Sequence, residues 1–566
     1  MSRPITLLAG MHGVAVCALA LAGCHSTAPS PAVLPLVNSA AAAPTTIRFV
    51  DTTDVAGLTY RWTIAGKRPI NLLQGIGNGC AFLDYDNDSN LDILLIGPKL
   101  ALYRGDGEGH FTDVTHDTGM DTLHGSFLGC AVGDYDNDGY EDIYISAYRG
   151  GALLHNEHGK RFVDASKAAG ITAQPWGTSA AFVDIDNDGK LDLYVGDYVQ
   201  FGTESRQLCT IAGHLTACPP RDYAPLTGAL FRNAGNGRFT EATRSWNAQD
   251  VSGRTLGVAA ADFDGSGNQA LMIANDEKAG NLLKSDGKRY QDIGASSGTA
   301  FQANGDLYGG MGADWGDYDG DGRMDLAVAT FQHEVKSIFH NDGGGLFSDR
   351  AAALGSALPT MSFVAFGIKW LDADNDGWLD LMIANGHIND NIAEIDTSAT
   401  YREPTQLFQN GAGKRLADIS MAALTGSAGR PIVGRGLAIG DYDNDGKIDA
   451  LVVDSEGKPL LLHNETPSAG HWLELTLVGK HGNRDGQGAV ITAELAADRR
   501  LVRQCTTGGS YLSASDKRVH FGLGSATVVP ALTVRWPGGH SDTYKDIAAD
   551  QRLIVTEGAA APVRTP

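Results

Sequence analysis

Seven short acidic loops, each running straight into an aliphatic stretch, predict an all-β chain: a seven-bladed β-propeller with cation-binding loops, then a small C-terminal β domain. The first observation is the loop. Asp134-Tyr-Asp136-Asn-Asp138-Gly139-Tyr140-Glu-Asp142 puts carboxylates at positions 1, 3, 5 and 9 of a tight turn, with Gly at 6 where the backbone bends sharply, which makes an oxygen cage for a hard cation and points to Ca²⁺. The second is repetition. The pattern starts at Asp84, Asp134, Asp184, Asp262, Asp317, Asp372 and Asp441, 50 to 78 residues apart; one copy would pass for an ordinary Asp/Asn/Gly turn, but seven are a repeat array. The third is the strand-forming run at the end of each loop, such as Leu91-Asp92-Ile-Leu-Leu-Ile96 or Leu379-Asp-Leu-Met-Ile383.

From the N-terminus, residues 1–24 read as an export signal: Arg3, an apolar run from Ile5 to Ala22, and the box Leu21-Ala22-Gly23-Cys24. The box resembles a bacterial lipoprotein signal, which implies cleavage before Cys24, lipidation of its thiol and, with His25 next in the chain, an outer-membrane anchor. Residues 25–45, rich in Ala, Pro, Ser and Thr, read as a flexible tether.

Residues 46–467 are the expected propeller. Downstream of a loop come a second phrase, Leu154-Leu-His-Asn156, a Gly-bearing turn and Phe162-Val-Asp164; the same order recurs as Leu230-Phe-Arg-Asn233 with Phe239-Thr-Glu241, and Ile338-Phe-His-Asn341 with Phe347-Ser-Asp349. With the loop strands this makes about four strands per unit, the signature of propeller blades. The last unit lacks its aromatic-x-acid strand after Leu461-Leu-His-Asn464, and Ile47-Arg-Phe49-Val-Asp51 supplies a match at the other end of the chain. Residues 47–53 are therefore expected to complete the last blade and close the ring without a free edge.

The expected ligands of about six Ca²⁺ ions are Asp84, Asp86, Asp88, Asn90 and Asp92; Asp134, Asp136, Asp138, Tyr140 and Asp142; Asp184, Asp186, Asp188, Lys190 and Asp192; Asp317, Asp319, Asp321, Arg323 and Asp325; Asp372, Asp374, Asp376, Trp378 and Asp380; and Asp441, Asp443, Asp445, Lys447 and Asp449. The first copy carries Ser89 in place of Gly. The fourth, with Asp262, Asp264, Ser266 and Asn268, has Ala270 at position 9 and is expected to be weak or empty. An EF-hand needs a bidentate Glu at position 12 between helices; here position 12 is Leu95, Ile145, Val195, Val328, Ile383 or Val452, so these loops join strands.

Residues 468–557 read as a separate small β domain, from runs such as Trp472-Leu-Glu-Leu-Thr-Leu-Val478 and Ala531-Leu-Thr-Val-Arg-Trp536, and 558–566 as a disordered tail. At this point the chain resembles a known family. The loops, the Leu-x-x-Asn and Phe-x-Asp phrases and Gly-rich approaches such as Gly75-Ile-Gly-Asn-Gly79 are similar to FG-GAP/VCBS repeats, the integrin-α-type propeller with Ca²⁺ in its blades. Asn385-Gly-His387-Ile resembles the cartilage acidic protein branch. Asn483-Arg-Asp-Gly-Gln-Gly488, Gly509-Ser-Tyr-Leu-Ser513, His520-Phe-Gly-Leu-Gly524 and Val534-Arg-Trp-Pro-Gly538 resemble the ASPIC/UnbV module.

The formal charge of −23 excludes a nucleic-acid partner, which demands basic surface, and much of the acidity is ligand. Of seven Cys, Cys17 and Cys24 fall in the signal segment; Cys209 and Cys218 bracket a short segment suited to a disulfide in an exported protein. Cys80 and Cys130 share one repeat position, as buried small residues or as a pair between adjacent units. No nucleophile elbow, zinc spacing or phosphate loop is present. His155, His340 and His463 read as strand residues, and His387 as a turn-closing histidine. The expectation is a monomeric binding, adhesion or scaffold module for a glycan or protein ligand. The alternative is a polysaccharide-active or tailoring enzyme using Arg206, His214, Arg221 and Tyr223 in insertion 196–228 and His387, Tyr401 and Arg402 in insertion 386–404.

Overall fold

The structure, a computed structural model, describes residues 46–249, 251–467, 469–495 and 499–565. The signal segment 1–24, with Cys24, and the tether 25–45 lie outside the described residues. No helix among the described residues is long and apolar enough to cross a membrane.

Seven four-stranded antiparallel meanders account for residues 49–464. Sheet 1 runs Cys80–Leu83, Asp92–Leu95, Ala101–Gly105 and Phe111–Asp113. The first strands of the other sheets are Ser126–Gly133, Gln174–Val183, Thr255–Ala261, Ala313–Gly316, Ala365–Leu371 and Gly434–Gly440. Sheets 2 and 3 are joined by extra pairing of Gln174 with Gly150 and Trp176 with Tyr148. The first strands touch in cyclic order, the seventh meeting the first. Sheet 7 takes its outer strand from the N-terminus: Phe49–Asp51 pairs with Leu460–Asn464, Phe49 opposite Asn464. Because the sheets pack face to face, the second strands are buried on both sides, as in Asp92–Leu95, which is why the sequence shows aliphatic runs there and not alternation.

The Asn of the Leu-x-x-Asn phrase staples neighbouring sheets. Asn156 Nδ2 donates to the carbonyl of Tyr85 in the preceding loop (2.8 Å) and to that of Glu141 in its own (3.0 Å). Asn233, Asn341, Asn410 and Asn464 repeat this bridge to Tyr135, Phe263, Tyr318 and Ala373. Each fills a buried donor and two buried acceptors at once. The Asn at loop position 4 links loop to loop: Asn87 donates to Gly139 O (2.7 Å), Asn137 to Gly189 O (3.0 Å) and Asn375 to Gly446 O (2.8 Å).

The C-terminal domain packs two four-stranded sheets over a core including Leu475, Ile491, Phe521, Val534 and Trp536. Two sequence expectations change here, and the cysteine readings hold. The domain is not separate: residues 505–516 leave it and enter the ring, where Leu512 O accepts from Cys130 N (3.1 Å), Ala514 and Cys80 bond (3.0 Å), Ser510 and Ala313 exchange bonds (2.7 and 3.2 Å), and Asp516 N reaches Ile439 O (3.1 Å). Glycine lines this path out of necessity: a Cβ on Gly79 would stand 1.8 Å from Leu512 O. Residues 558–566 are not a disordered tail throughout, since Val563–Arg564 pairs with Gln551–Thr556; an open strand edge supplies the backbone partners that the tail's own composition could not reveal. Cys80 and Cys130 are buried free thiols, while Cys209 and Cys218 form a disulfide.

Candidate metal centres and the open end of the ring

All seven acidic loops connect the first and second strands of their sheets, so they share one end of the ring. In the second loop Asp134 Oδ1 accepts from Asp138 N (3.0 Å) and Oδ2 from Gly139 N (2.7 Å). Asp142 accepts from Tyr135 N (3.2 Å) and, through its other oxygen, from Asn156 N (2.8 Å). Position 1 thus folds the turn, and position 9 ties it to the second and third strands. Position 6 is left-handed: Gly139 has φ 97°, and in the first loop Ser89 takes φ 68°.

The turns gather more carboxylate than they neutralise. Burial above all pushes Asp84 up to about 6, Asp184 and Asp317 up to about 7 and Asp372 up to about 8. Among the described residues, buried Oδ1 atoms of Asp86, Asp186, Asp374 and Asp443 at position 3, and of Asp317 at position 1, have no hydrogen-bond partner. Orphaned carboxylate oxygens recurring at the same loop positions are the donor set a hard divalent cation takes, so these residues fit Ca²⁺, with position 7 contributing its backbone carbonyl. The cation would supply charge neutralisation and bind the turn to the second strand.

Sequence reasoning read His155, His340 and His463 as strand residues and missed their contact with the loops. The third-strand residue at this position leans on the loop in every sheet, before Asn in five of them and before Gly105 and Ser285 in the first and fourth. His155 lies 3.2 Å from Asp142, His340 3.0 Å from Asp319 and His463 3.2 Å from Asp449. Arg104 lies 2.8 Å from Asp86, Arg232 2.6 Å from Asp186, Lys284 2.7 Å from Asp264, and Gln409 3.0 Å from Asp374. The signal was present as a basic residue recurring in six of these seven positions. The bond to Asp142 pushes His155 up to about 9.

The fourth loop differs in kind. Asp262, whose side chain is fully buried, is paired with Arg535 of the C-terminal domain, and Asp264 with Lys284. The C-terminal domain reaches the other loops too. Arg552 donates to Ser89 O (3.2 Å), Arg484 N to Asn137 (2.7 Å), Arg499 to Asp376 O (2.7 Å) and Arg518 to Asp441 O (2.6 Å).

Connections from second to third strands lie at the opposite end. There a cavity of about 250 Å³ is lined by residues of sheets 1, 3, 4, 5 and 6 and by both long insertions. Of the seven insertion residues, the structure brings only Arg221 and His387 to this cavity. His214 lies beside Glu394 (3.4 Å), Tyr223 donates to Arg206 O (2.6 Å) and Arg402 pairs with Asp454 (3.1 Å). His387 does close a turn, its Nδ1 accepting from Asn389 N (3.0 Å), and burial pushes it down to about 3.

Comparison with known proteins agrees with this architecture. The FG-GAP-like repeat model matches residues 84–145, 134–195 and 317–383, and the ASPIC and UnbV model matches 479–562. Cartilage acidic protein 1 of Xenopus tropicalis is 25% identical over 499 residues, covering 81% of this chain and 70% of that protein. Its Mus musculus counterpart is 22% identical over 412 residues, covering 70% and 56%. Among solved structures, an Agrocybe aegerita lectin described as recognising non-reducing terminal N-acetylglucosamine aligns at TM-score 0.37 and 14% identity, covering 67% of this chain and 87% of that one. A streptogramin B lyase aligns at TM-score 0.39 and 9% identity, covering 72% and 98%. The chain therefore carries FG-GAP-like repeats in a propeller-like ring of β-sheets and ends in an ASPIC and UnbV domain.

Proposed function

We propose that the protein is a calcium-stabilised, lipid-tethered binding module that holds a glycan or protein ligand at the end of the ring away from its acidic loops. The observation that carries this reading is the coverage of the loop end: the C-terminal domain bonds to loops around that end and threads residues 505–516 into the centre. Ligand contact then falls to the opposite end, framed by insertions 196–228 and 386–404, since binding residues concentrate on loops carried by a rigid scaffold. Six ions in the complete loops offset about half of their carboxylate charge, the fourth loop takes none, and lipid on Cys24 anchors the module at the outer membrane.

The test is a glycan and protein array probed with the Ca²⁺-loaded chain. The expected result is a ligand whose binding falls when Arg206 or Arg402 is reversed to Glu and is indifferent to Lys545→Glu on the C-terminal domain. A ligand with the opposite sensitivity overturns the reading. Membrane release of Cys24→Ser in fractionated cells tests the anchor; a variant still membrane-bound at unchanged mass removes it.

A further inference from the structure

The cavity at the open end combines an apolar body with an unmatched set of acceptors. Leu72, Ile76, Leu256, Met311, Phe366 and Ile392 supply apolar wall. On one side stand Asp276 and Glu334. Asp276 Oδ2 accepts from the Tyr198 hydroxyl (2.6 Å), and Glu334 Oε2 accepts from Gly309 N (2.9 Å) and Phe331 N (3.2 Å). A Cβ on Gly309 would stand 3.1 Å from Asp276 Oδ1 and 3.7 Å from Glu334 Oε2, so the two carboxylates flank the same point of backbone.

The nearby cations are already engaged. Arg221 pairs with Glu277 (2.6 Å), and Arg254 faces the same carboxylate (3.9 Å). Lys336 Nζ donates to the carbonyls of Phe331, Glu334 and Phe363. His387, fully buried in the wall, is held neutral; because its Nδ1 accepts from Asn389 N, its Nε2 carries the proton and is a donor with no hydrogen-bond partner among the described residues. Among the described lining residues Glu277 Oε2, Gln332 Oε1 and Asn389 Oδ1 are buried acceptors without one. A site rich in buried acceptors and poor in free donors is completed by a ligand that brings donors and positive charge.

We propose that this cavity binds a small organic amine, its ammonium held by Asp276 and Glu334 and its apolar body against Ile76, Met311 and Phe366. The proposal rests on reading the open end of the ring as the ligand-binding end. An ammonium offers three donors to these oxygens. The electrostatics agree. Burial above all, with Glu277 and Glu334 acting the same way and Tyr198 and Arg254 opposing, pushes Asp276 up to about 7. A bound cation relieves that repulsion.

Calorimetric titration of the Ca²⁺-loaded full chain tests it, using phenethylamine, the near-isosteric neutral 2-phenylethanol and the anion 3-phenylpropionate. The amine is expected to bind roughly tenfold or more tightly than the alcohol, the size of effect a charge-assisted hydrogen bond produces, and the anion not at all. Asp276→Asn and, independently, Glu334→Gln should each reduce amine binding about tenfold with melting curves near wild type, while Asp264→Asn at the other end changes nothing. Equal binding of amine and alcohol, no amine binding, or folded variants that bind like wild type overturn the proposal. An array ligand that ignores Asp276→Asn but responds to Arg206→Glu removes this proposal alone; one that ignores both removes the underlying reading as well.

Discussion

The second and fourth acidic loops occupy the same turn in their sheets and solve the same electrostatic problem in opposite ways. The second keeps carboxylates at Asp134, Asp136, Asp138 and Asp142, with His155 as their side-chain neighbour from the third strand. The fourth has Ala270 at position 9, and two protein cations stand on its remaining acids, Arg535 on Asp262 and Lys284 on Asp264. On the proposed reading, a divalent ion serves the complete loops and a guanidinium set on the buried carboxylate at position 1 replaces it in the fourth; Arg104 and Arg232 stand only on positions 3 and 5 of loops that keep all four carboxylates.

Removing the ions breaks the comparison on its larger side. With Kd near the tighter end of the extracellular range, about 1 mM free Ca²⁺ stabilises each site by roughly 1.4 kcal/mol, or about 8 kcal/mol for six independent sites. Spread over the unfolding entropy of a chain this size, that lowers Tm by roughly 8 °C. Calorimetry with and without chelator checks this, and superimposable melts refute a structural ion.

Arg535→Ala acts on the other side. It leaves the buried Asp262 without its partner and should cost about 3 kcal/mol, the range for breaking a buried pair. Added Ca²⁺ should not rescue it. Adding Ser266→Asp and Ala270→Asp to Arg535→Ala rebuilds the four-carboxylate pattern, so the bound ions counted by native mass spectrometry should rise by one; an unchanged count shows that the guanidinium was not standing in for the metal.

Asp136→Ala should cost about 1.4 kcal/mol in saturating Ca²⁺, one site's worth, and almost nothing in chelator. Asp264→Ala removes only a partly exposed pair with Lys284 and should cost under about 1 kcal/mol in either condition. Equal, calcium-independent losses in the two variants erase the distinction between the loops. The stapling residue supplies a control common to both conditions. Asn464→Ala strands the carbonyls of Ala373 and Ile448 and should cost about 1–3 kcal/mol with or without ion.

What the amino-acid order alone determined is local or periodic. The acidic turns are written in consecutive residues because Asp, Asn and Gly act on the backbone within a few positions. The strands show as aliphatic runs because both faces are buried, and the closing strand Phe49–Asp51 was legible because it repeats a phrase missing after Asn464. Tertiary structure alone decided which groups meet across hundreds of residues. It set Arg535 on Asp262, the paths of residues 505–516 between the first strands, the pairing of Val563–Arg564, and the cavity that gathers Asp276, Glu334 and His387 from three sheets. No local rule encodes those meetings, because each depends on ring closure bringing distant turns to a common axis.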